Sequence, residues 1–368
     1  MHPEFQLDKN IIHLNHAAVS PWPARTVKAV SNFANENYTQ GSLGYLEWVQ
    51  TENRLRERMS RLVNASSTDD IALLKNTSEG LSVIAYGIDW QDGDNVVIPA
   101  NEFPSNRIVW ESLCPLGVDV RQIDIQCPDP EAALIAAMDG RTRLLSVSAV
   151  QYATGLRLLL EVLGVACNKR SILFCVDAIQ QLGALRFDTQ QCQADFIVAD
   201  AHKWMLGPEG LALFYSKPAA RERLKLSQFG WHMVEQMGDF SRTDWLPASS
   251  ARRFECGSPN TLGVYATEAS LSLIDEVGMD SIESQVLENS RWLCQQIEAD
   301  SGLELISDPR AERLSGIVTF RPLKQTVESV YKKISSAGVI CVPRGGGIRF
   351  SPHFYTDRSL IEQAMACL

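Results

Sequence analysis

The chain has 368 residues, 45% of them hydrophobic and 21% charged, and its formal net charge at pH 7 is −10. A soluble protein with one larger and one smaller core fits this length and composition. The acidic balance disfavours binding to nucleic acid or to anionic membrane surfaces, and the sequence contains neither a membrane-length apolar run nor a signal-peptide pattern.

The first part of the chain predicts a short strand at 11–16, a proline-broken turn, and helices at 24–39 and 46–62. From about residue 70, short continuous apolar runs alternate with helical periods. Strands are predicted at 94–99, 118–125, 143–150, 171–176, 195–199 and 211–215, and helices at 106–113, 130–138 and 159–168. Apolar strands separated by helices indicate an α/β fold, with a mostly parallel central sheet flanked by helices.

The order of the predicted helices and strands changes towards the C-terminus, which indicates a smaller α+β domain. Helices are predicted at 263–277 and 281–300, strands at 317–320, 339–342 and 348–351, and a final helix from 357. We therefore expect an N-terminal segment (1–20) that packs on the small domain, a large domain (21–277) that carries the site, and a small C-terminal domain (278–368).

The nine cysteines predict reduced thiols. Their number is odd, none forms a CxxC pair, and the six histidines show no ligand spacing with them. Reduced thiols without a disulfide framework are typical of cytoplasmic proteins, so we expect a cytoplasmic location and no metal site.

Polar residues follow several of the predicted strands. Asp177 ends one strand, His202 and Lys203 follow the next, and Gln151 and residues 101–103 follow two others. Because ligands of an open parallel sheet bind at the carboxyl ends of its strands, these residues are expected to face one cleft.

A lysine, a carboxylate, a helix N-terminus and an arginine are the groups that pyridoxal 5′-phosphate (PLP) chemistry requires. The lysine forms a Schiff base, the carboxylate keeps the pyridine nitrogen protonated, and the helix holds the phosphate. Taken alone, Lys203 fits a surface lysine and Asp177 a strand-end cap. The pair, at the ends of two strands that follow each other along the chain, favours the cofactor.

The segments 176–180, 195–196 and 202–210 resemble the core signature of the class V aminotransferase family of fold-type I PLP-dependent enzymes. That family includes cysteine desulfurases, isopenicillin N epimerase-like proteins and kynureninases. Residues 13–18, 76–80, 254–260 and 348–355 resemble further family motifs in the same order, so the resemblance covers nearly the whole chain.

The resemblance implies a role for each matching residue. Lys203 would be the Schiff-base lysine, Asp177 the partner of the pyridine nitrogen, and Arg349 the ligand of the substrate α-carboxylate. The other implied cofactor-binding residues are Thr77, Ser78 and His202 at the phosphate, Gln180 at the phenolic oxygen, Phe103 stacked on the ring, Gln151 nearby, and Ser258 at the phosphate of a neighbouring subunit. The implied assembly is a homodimer with shared active sites that takes an amino-acid substrate.

Asp200 and the connection 342–348 depart from the family pattern, and Arg344 has more than one interpretation. Asp200 stands where cysteine desulfurases often have a phosphate-binding serine, and no role is assigned to it. Arg344 fits either a second anion-binding group or a solvated turn residue. The connection 342–348 contains no cysteine, and Cys341 lies in an apolar strand, which disfavours persulfide-forming desulfurase activity.

The function expected from the sequence is therefore that of a PLP-dependent class V aminotransferase. Epimerisation and C–S or C–C cleavage are close alternatives, because all of these reactions begin at the same Cα carbanion. A catalytically inactive binding protein is the alternative of another class, and the intact set of site residues argues against it. A Rossmann nucleotide site is disfavoured, since no GxGxxG follows an early strand.

Overall fold

The structure is a computed structural model, and it describes residues 2–368. The helices among these residues are α1 (Ala24–Gln40), α2 (Tyr45–Leu62), α3 (Thr77–Gly87), α4 (Ser105–Glu111), α5 (Pro130–Ala136), α6 (Leu160–Arg170), α7 (Thr189–Cys192), α8 (Pro218–Arg221), α9 (Thr261–Val277), α10 (Met279–Ala299), α11 (Val327–Ser336) and α12 (Arg358–Ala366). The strands are β1 (Ile12–His13), β2 (Ile71–Leu74), β3 (Asn95–Pro99), β4 (Asp119–Ile123), β5 (Thr142–Ser148), β6 (Leu173–Asp177), β7 (Phe196–Asp200), β8 (Ala212–Ser216), β9 (Leu303–Leu305), β10 (Val318–Pro322), β11 (Val339–Ile340), β12 (Val342–Arg344) and β13 (Gly347–Phe350).

The central sheet has seven strands in the order β2-β8-β7-β6-β5-β3-β4. Within this sheet, β8 alone runs opposite to the other six strands, so the sheet is mostly parallel. The side chains of its strands alternate between two apolar clusters, one on each face of the sheet. Val147 and Phe174 belong to the first cluster, and Leu144 and Cys175 belong to the second. Both faces are therefore buried under helices, which confirms the predicted α/β fold and explains the continuous apolar runs.

The C-terminal part forms a separate antiparallel sheet of four strands in the order β12-β13-β10-β9. The N-terminal segment reaches this part, because Ile12 pairs with Val339 between β1 and β11 and Asn15 bridges Ser351. The predicted division into 1–20, 21–277 and 278–368 stays a prediction, and Met1 of its first segment lies outside the described residues. Within 2–368, no helix combines the length and the apolar character needed to cross a bilayer.

Strand register brings the site residues to one edge of the central sheet. Asp177, the last residue of β6, pairs with Ser148 of β5 on one side and Val198 of β7 on the other. Asp200 ends β7, and Thr77 at the start of α3 is hydrogen-bonded to it. The carboxyl ends of these strands and the N-terminus of α3 therefore meet at the same place.

Candidate active site

A cavity of about 290 Å³ opens at this edge of the sheet. It lies between the turns that follow β6 and β7, the N-terminus of α3, the loop after β3 and the β12–β13 hairpin. Its lining includes these predicted site residues: Thr77, Phe103, Asp177, Gln180, His202, Lys203 and Arg349. A cavity of this size is at the small end of ligand pockets, and it holds several polar groups that converge on one space.

Lys203 is held in the turn that follows β7. Ser20 fixes that turn from the N-terminal segment: its hydroxyl donates to the Lys203 carbonyl, and its N–H donates to the His202 carbonyl at 2.9 Å. The Lys203 side chain is buried, and its Nζ lies 5.6 Å from the centroid of the Phe103 ring. Burial, partly opposed by Asp177 and reinforced by Arg349, lowers the pKa of Lys203 to about 8. A substantial fraction of the amine is therefore neutral near physiological pH, as a nucleophilic lysine requires.

Asp177 is 2% exposed, and its Oδ1 accepts the N–H of Ile179 at 3.0 Å. Burial raises the pKa of Asp177 to about 6, although the Ile179 hydrogen bond and Lys203 both act to lower it. A buried carboxylate with one oxygen free for a cationic partner suits a ring nitrogen that must stay protonated.

Gln180 is held on both sides by protein groups. Its Nε2 donates to the Ala17 carbonyl at 2.9 Å, and its Oε1 accepts the indole N–H of Trp204 at 2.9 Å. One N–H of the amide remains for a ligand, because the Gln side chain carries two. The predicted bond to the cofactor's phenolic oxygen stays a prediction.

Asp200 and Thr77 form a reciprocal pair. The Asp200 carboxylate accepts the backbone N–H and the hydroxyl of Thr77, and the same hydroxyl accepts the Asp200 N–H at 3.2 Å. His202 Nδ1 lies 3.4 Å from Asp200 Oδ2. Burial and the neighbouring Lys203 lower the pKa of His202 to about 4, so its imidazole is neutral at physiological pH.

Arg349 of β13 reaches the cavity from the opposite side. Its Nη1 donates to the Tyr152 carbonyl at 2.6 Å, and its Nε is buried without a hydrogen-bond partner. Burial and the nearby Arg344 lower the pKa of Arg349 to about 10, which still leaves it charged at neutral pH. Arg344 also lines the cavity while remaining exposed, so its role as an anion-binding group stays a prediction.

Three predicted residues do not line the cavity. Gln151 braces its own turn: its Oε1 accepts the N–H groups of Ala153 and Thr154, and its Nε2 donates to the Asn101 carbonyl. Ser78 and Ser258 are exposed, and Ser78 bonds to Ser105. Their contacts with a cofactor stay predictions, and for Ser258 the predicted contact lies in another subunit.

Sequence reasoning missed two residues that shape the site. Tyr152 lines the cavity and packs edge-on against Phe103, with ring centroids 5.3 Å apart. Its neighbour Gln151 was chosen from the same motif, and the turn at 151–154 directs the Gln151 side chain to its own backbone and leaves Tyr152 to line the cavity. Glu102 is buried behind Ser148, and burial raises its pKa to about 7. Its place directly before Phe103 was the available signal.

The residues present fit PLP. Lys203 offers an amine of lowered pKa, Asp177 a buried carboxylate, and Arg349 an unpaired buried N–H in one cavity. Elsewhere in the described chain, one group of side chains has the spacing of metal ligands: Glu52, His232 and Glu255. The guanidinium of Arg56 already bonds to both of its carboxylates, so a cation is present without a metal.

Comparison with known proteins gives a family model and several relatives. The model described as "Aminotransferase class-V" matches residues 12–353. A probable cysteine desulfurase of Methanothermobacter thermautotrophicus is 27% identical, over 98% of this chain and 94% of that protein. A cysteine desulfurase of Cronobacter sakazakii is 25% identical, over 89% and 82%. A structure of the protein C-DES, with glycine covalently linked to its PLP cofactor, superposes with a TM-score of 0.90 at 19% identity over 97% and 96%.

These relatives overturn the functional expectation from the sequence. The two curated relatives described above are named cysteine desulfurases, the activity that the sequence reasoning disfavoured, and neither is named an aminotransferase. The preference for amino-group transfer was wrong, and so was the argument from the cysteine-free connection 342–348. That argument took one short loop to decide the reaction, whereas the similarity extends over nearly the whole chain.

Proposed function

The chain belongs to the class V aminotransferase family of PLP-dependent enzymes, and from this premise we propose that it is a lyase that cleaves the carbon–sulfur bond of cysteine. The family is PLP-dependent, which confirms the predicted cofactor. The single observation that carries the proposal is that the Lys203 amine, whose pKa is lowered, lies in one cavity with Asp177 and Arg349. The names of the curated relatives are the reason for proposing the carbon–sulfur bond as the bond that is cleaved.

PLP, when bound, supplies an electron sink for the pair of electrons left on Cα after its proton departs. The protein's part is to bind, orient and move protons. Arg349 binds the substrate carboxylate through its unpaired N–H and fixes the orientation of Cα. The Lys203 amine accepts the Cα proton, because its lowered pKa leaves it able to take up and return a proton near neutrality.

The Asp177 carboxylate would stabilise the protonated ring nitrogen of the cofactor, and burial of the carboxylate strengthens that interaction. The neutral His202 acts as a hydrogen-bond donor or acceptor without adding charge next to Lys203. For alanine to form, a thiolate attacks the substrate sulfur and accepts it as a persulfide, the electron pair of the C–S bond stays on Cβ, and a proton is added there. The lining of the cavity contains no cysteine within the described chain, and a small dithiol therefore serves as the sulfur acceptor in the assay. Its second thiol then attacks the persulfide, which releases sulfide and leaves the dithiol as a disulfide.

The proposal is tested by incubating the PLP-loaded protein with cysteine and a dithiol, and by measuring alanine and sulfide. Alanine and sulfide are expected in equal amounts, and Lys203→Ala is expected to abolish both. Lys225→Ala is the matched control, because Lys225 is exposed and paired with Asp89 away from the cavity. Amino-group transfer to an added keto acid without sulfide release would overturn the proposal.

We also propose that the protein is a cytoplasmic homodimer with shared active sites. The nine cysteines within 2–368 are all free thiols, which supports a reducing compartment. Ser258 is exposed and lies outside the cavity of its own chain, as a residue that reaches a neighbouring subunit must. Sedimentation of the loaded protein, together with loss of PLP affinity in Ser258→Ala, tests this arrangement. A monomer that retains full activity would refute it.

A further inference from the structure

Asp200 is a largely buried carboxylate in the cavity lining that the proposed reaction does not use. Its side chain is 13% exposed, and its carboxylate lies next to the N-terminus of helix α3. Both the backbone N–H and the hydroxyl of Thr77 donate to its Oδ1. A carboxylate in this position is a strong acceptor, since it faces a helix N-terminus and takes two donors at once.

Two of the N-terminal N–H groups of α3 already have acceptors within the chain. The Thr77 N–H donates to Asp200, and the Glu79 N–H donates to Asn76 Oδ1 at 2.9 Å. Helix N-termini bind phosphate by offering these same N–H groups. A phosphate that approaches Thr77 therefore meets a donor that the chain's own carboxylate already uses.

The charges around Asp200 bear on how it responds to a second anion. Burial raises the pKa of Asp200 above its ordinary value, while the Thr77 bonds and Lys203 lower it and Glu209 raises it. Asp177 on β6 faces the same space, and the neutral His202 lies 3.4 Å from Asp200 Oδ2. A phosphate would add negative charge to this set, so ionised Asp200 and the phosphate repel each other.

We propose that Asp200 is a built-in competitor for the cofactor phosphate. Its carboxylate holds the N-terminus of α3 in the cofactor-free protein and releases Thr77, by moving or by becoming neutral, when the phosphate binds. The inference rests on the proposed function in one respect, the placement of the phosphate at Thr77 and Ser78. Asp200 thereby stabilises the empty site at the expense of cofactor affinity.

The test compares PLP with pyridoxal, which carries the same aldehyde and ring without phosphate. Dissociation constants for both are measured on cofactor-free wild type, Asp200→Ser and Asp200→Asn, from the absorbance of the bound cofactor. Asp200→Ser is expected to bind PLP about tenfold more tightly and pyridoxal with nearly unchanged affinity. Inorganic phosphate is expected to compete with PLP better in both variants than in the wild type.

Thermal unfolding separates competition from a bracing role. Without cofactor, Asp200→Ser is expected to melt at a lower temperature than the wild type, because α3 loses an N-terminal acceptor. With saturating PLP, the deficit is expected to vanish or reverse. Asp195→Asn is the matched control: its carboxylate also accepts one backbone N–H, that of Phe174, but at the start of β7 and outside the cavity lining. It should leave the ratio of PLP to pyridoxal affinity unchanged.

If the preference for PLP over pyridoxal in Asp200→Ser and Asp200→Asn is the same as in the wild type or lower, the inference is overturned. Asp200 would then only stabilise the N-terminus of α3. If Asp200→Ser does not fold, the isosteric Asp200→Asn carries the same comparison. Failure of the proposed function looks different: the wild type itself would then bind no PLP in a manner that depends on Lys203.

Discussion

The indole N–H of Trp204 donates to Gln180 Oε1 at 2.9 Å, across 24 positions of sequence. This bond joins the turn that follows β7, which carries the lysine, to the turn that follows β6, which begins at the aspartate. The Trp204 carbonyl in addition lies 2.9 Å from His353 Nε2 in the C-terminal part. Trp204 thus ties three segments together beside the cavity.

Replacement of Trp204 by Phe is expected to cost about 1–3 kcal/mol in unfolding free energy, because the buried Gln180 Oε1 loses its donor. It should also weaken PLP binding, since the lysine turn is no longer fixed against the aspartate turn. Urea unfolding and a PLP titration measure the two effects. The control is Trp90→Phe, which removes a bond to the Ala85 carbonyl away from the cavity and should leave PLP affinity intact. Equal PLP affinity in both variants would contradict the tie.

Gly183 packs its Cα against the backbone of the lysine turn. Its φ is +94°, and a Cβ there would lie 2.3 Å from the Trp204 carbonyl oxygen. Gly183→Ala is expected to destabilise the protein by more than the roughly 1 kcal/mol that a left-handed alanine costs, and to lower PLP affinity. Gly238→Ala is the control, since φ is +96° there, close to that of Gly183, and no atom lies within 4 Å of the added Cβ. Similar melting temperatures for the two variants would show that the turn yields without strain.

The sequence predicted most of the central fold because parallel strands buried on both faces leave an unambiguous apolar pattern. The runs around 95–99, 142–148, 173–177 and 196–200 are fully or almost fully buried, which explains why they were found within a few residues. The segment 339–342 was predicted as one strand, but β11 ends at Ile340 and β12 begins at Val342. The strands β9 and β2 were missed because they have three and four residues, too few to show a period.

The site was predicted unevenly for a physical reason. Lys203, Asp177 and Arg349 were found because strand ends and motif strings mark positions on the backbone. Gln151 was assigned to the cofactor by the same means; its Oε1 accepts two N–H groups of its own turn, and its contact with the cofactor stays a prediction. Which way a side chain points in a loop depends on such hydrogen bonds, and a single sequence does not reveal them. The reaction was misjudged for a related reason, since the sulfur acceptor was sought in one loop.

The two arginines of the cavity should affect the substrate differently. Arg349→Gln is expected to lower kcat/KM for cysteine by about 10- to 100-fold, the loss expected for one charged hydrogen bond to a carboxylate. Cysteamine has the same thiol and amine but no carboxylate, so its turnover should be unchanged by this substitution. Arg344→Gln should have a smaller effect, because Arg344 is exposed. A similar loss with cysteamine would mean that Arg349 acts on the cofactor and not on the carboxylate.

The lowered pKa of Lys203 should appear in the pH dependence of stability. Its pKa falls from 10.5 to about 8 in the folded protein, mainly because burial disfavours the charged amine. The unfolded chain therefore binds this proton more strongly, so the charge costs stability below pH 8, and the cost fades as pH rises towards 10.5. Cofactor-free Lys203→Met should be more stable than wild type by about 3 kcal/mol at pH 7, and by roughly half of that at pH 9.5. Urea unfolding at both pH values checks this, with Lys225→Met as control, and a difference independent of pH would contradict it.

A buried ion pair links the C-terminal part of the chain to helix α5. Arg313 donates through both terminal nitrogens to Glu131 at the start of α5, at 2.6 and 2.8 Å, with side chains only 5% and 3% exposed. Glu131→Gln leaves a buried guanidinium without its counter-charge, so a loss of about 3 kcal/mol is expected.

The exposed pair Arg321–Glu304 provides the comparison, because it also has two N–H···O bonds, here from Nε and Nη2 to Glu304 Oε2, with side chains 48% and 44% exposed. Water already solvates both of these charges, and Glu304→Gln should therefore cost less than about 1 kcal/mol. Urea unfolding of the two variants measures the difference directly. If Glu131→Gln costs no more than Glu304→Gln, burial of the pair contributes nothing, and the C-terminal part must be held to the sheet by apolar contacts instead.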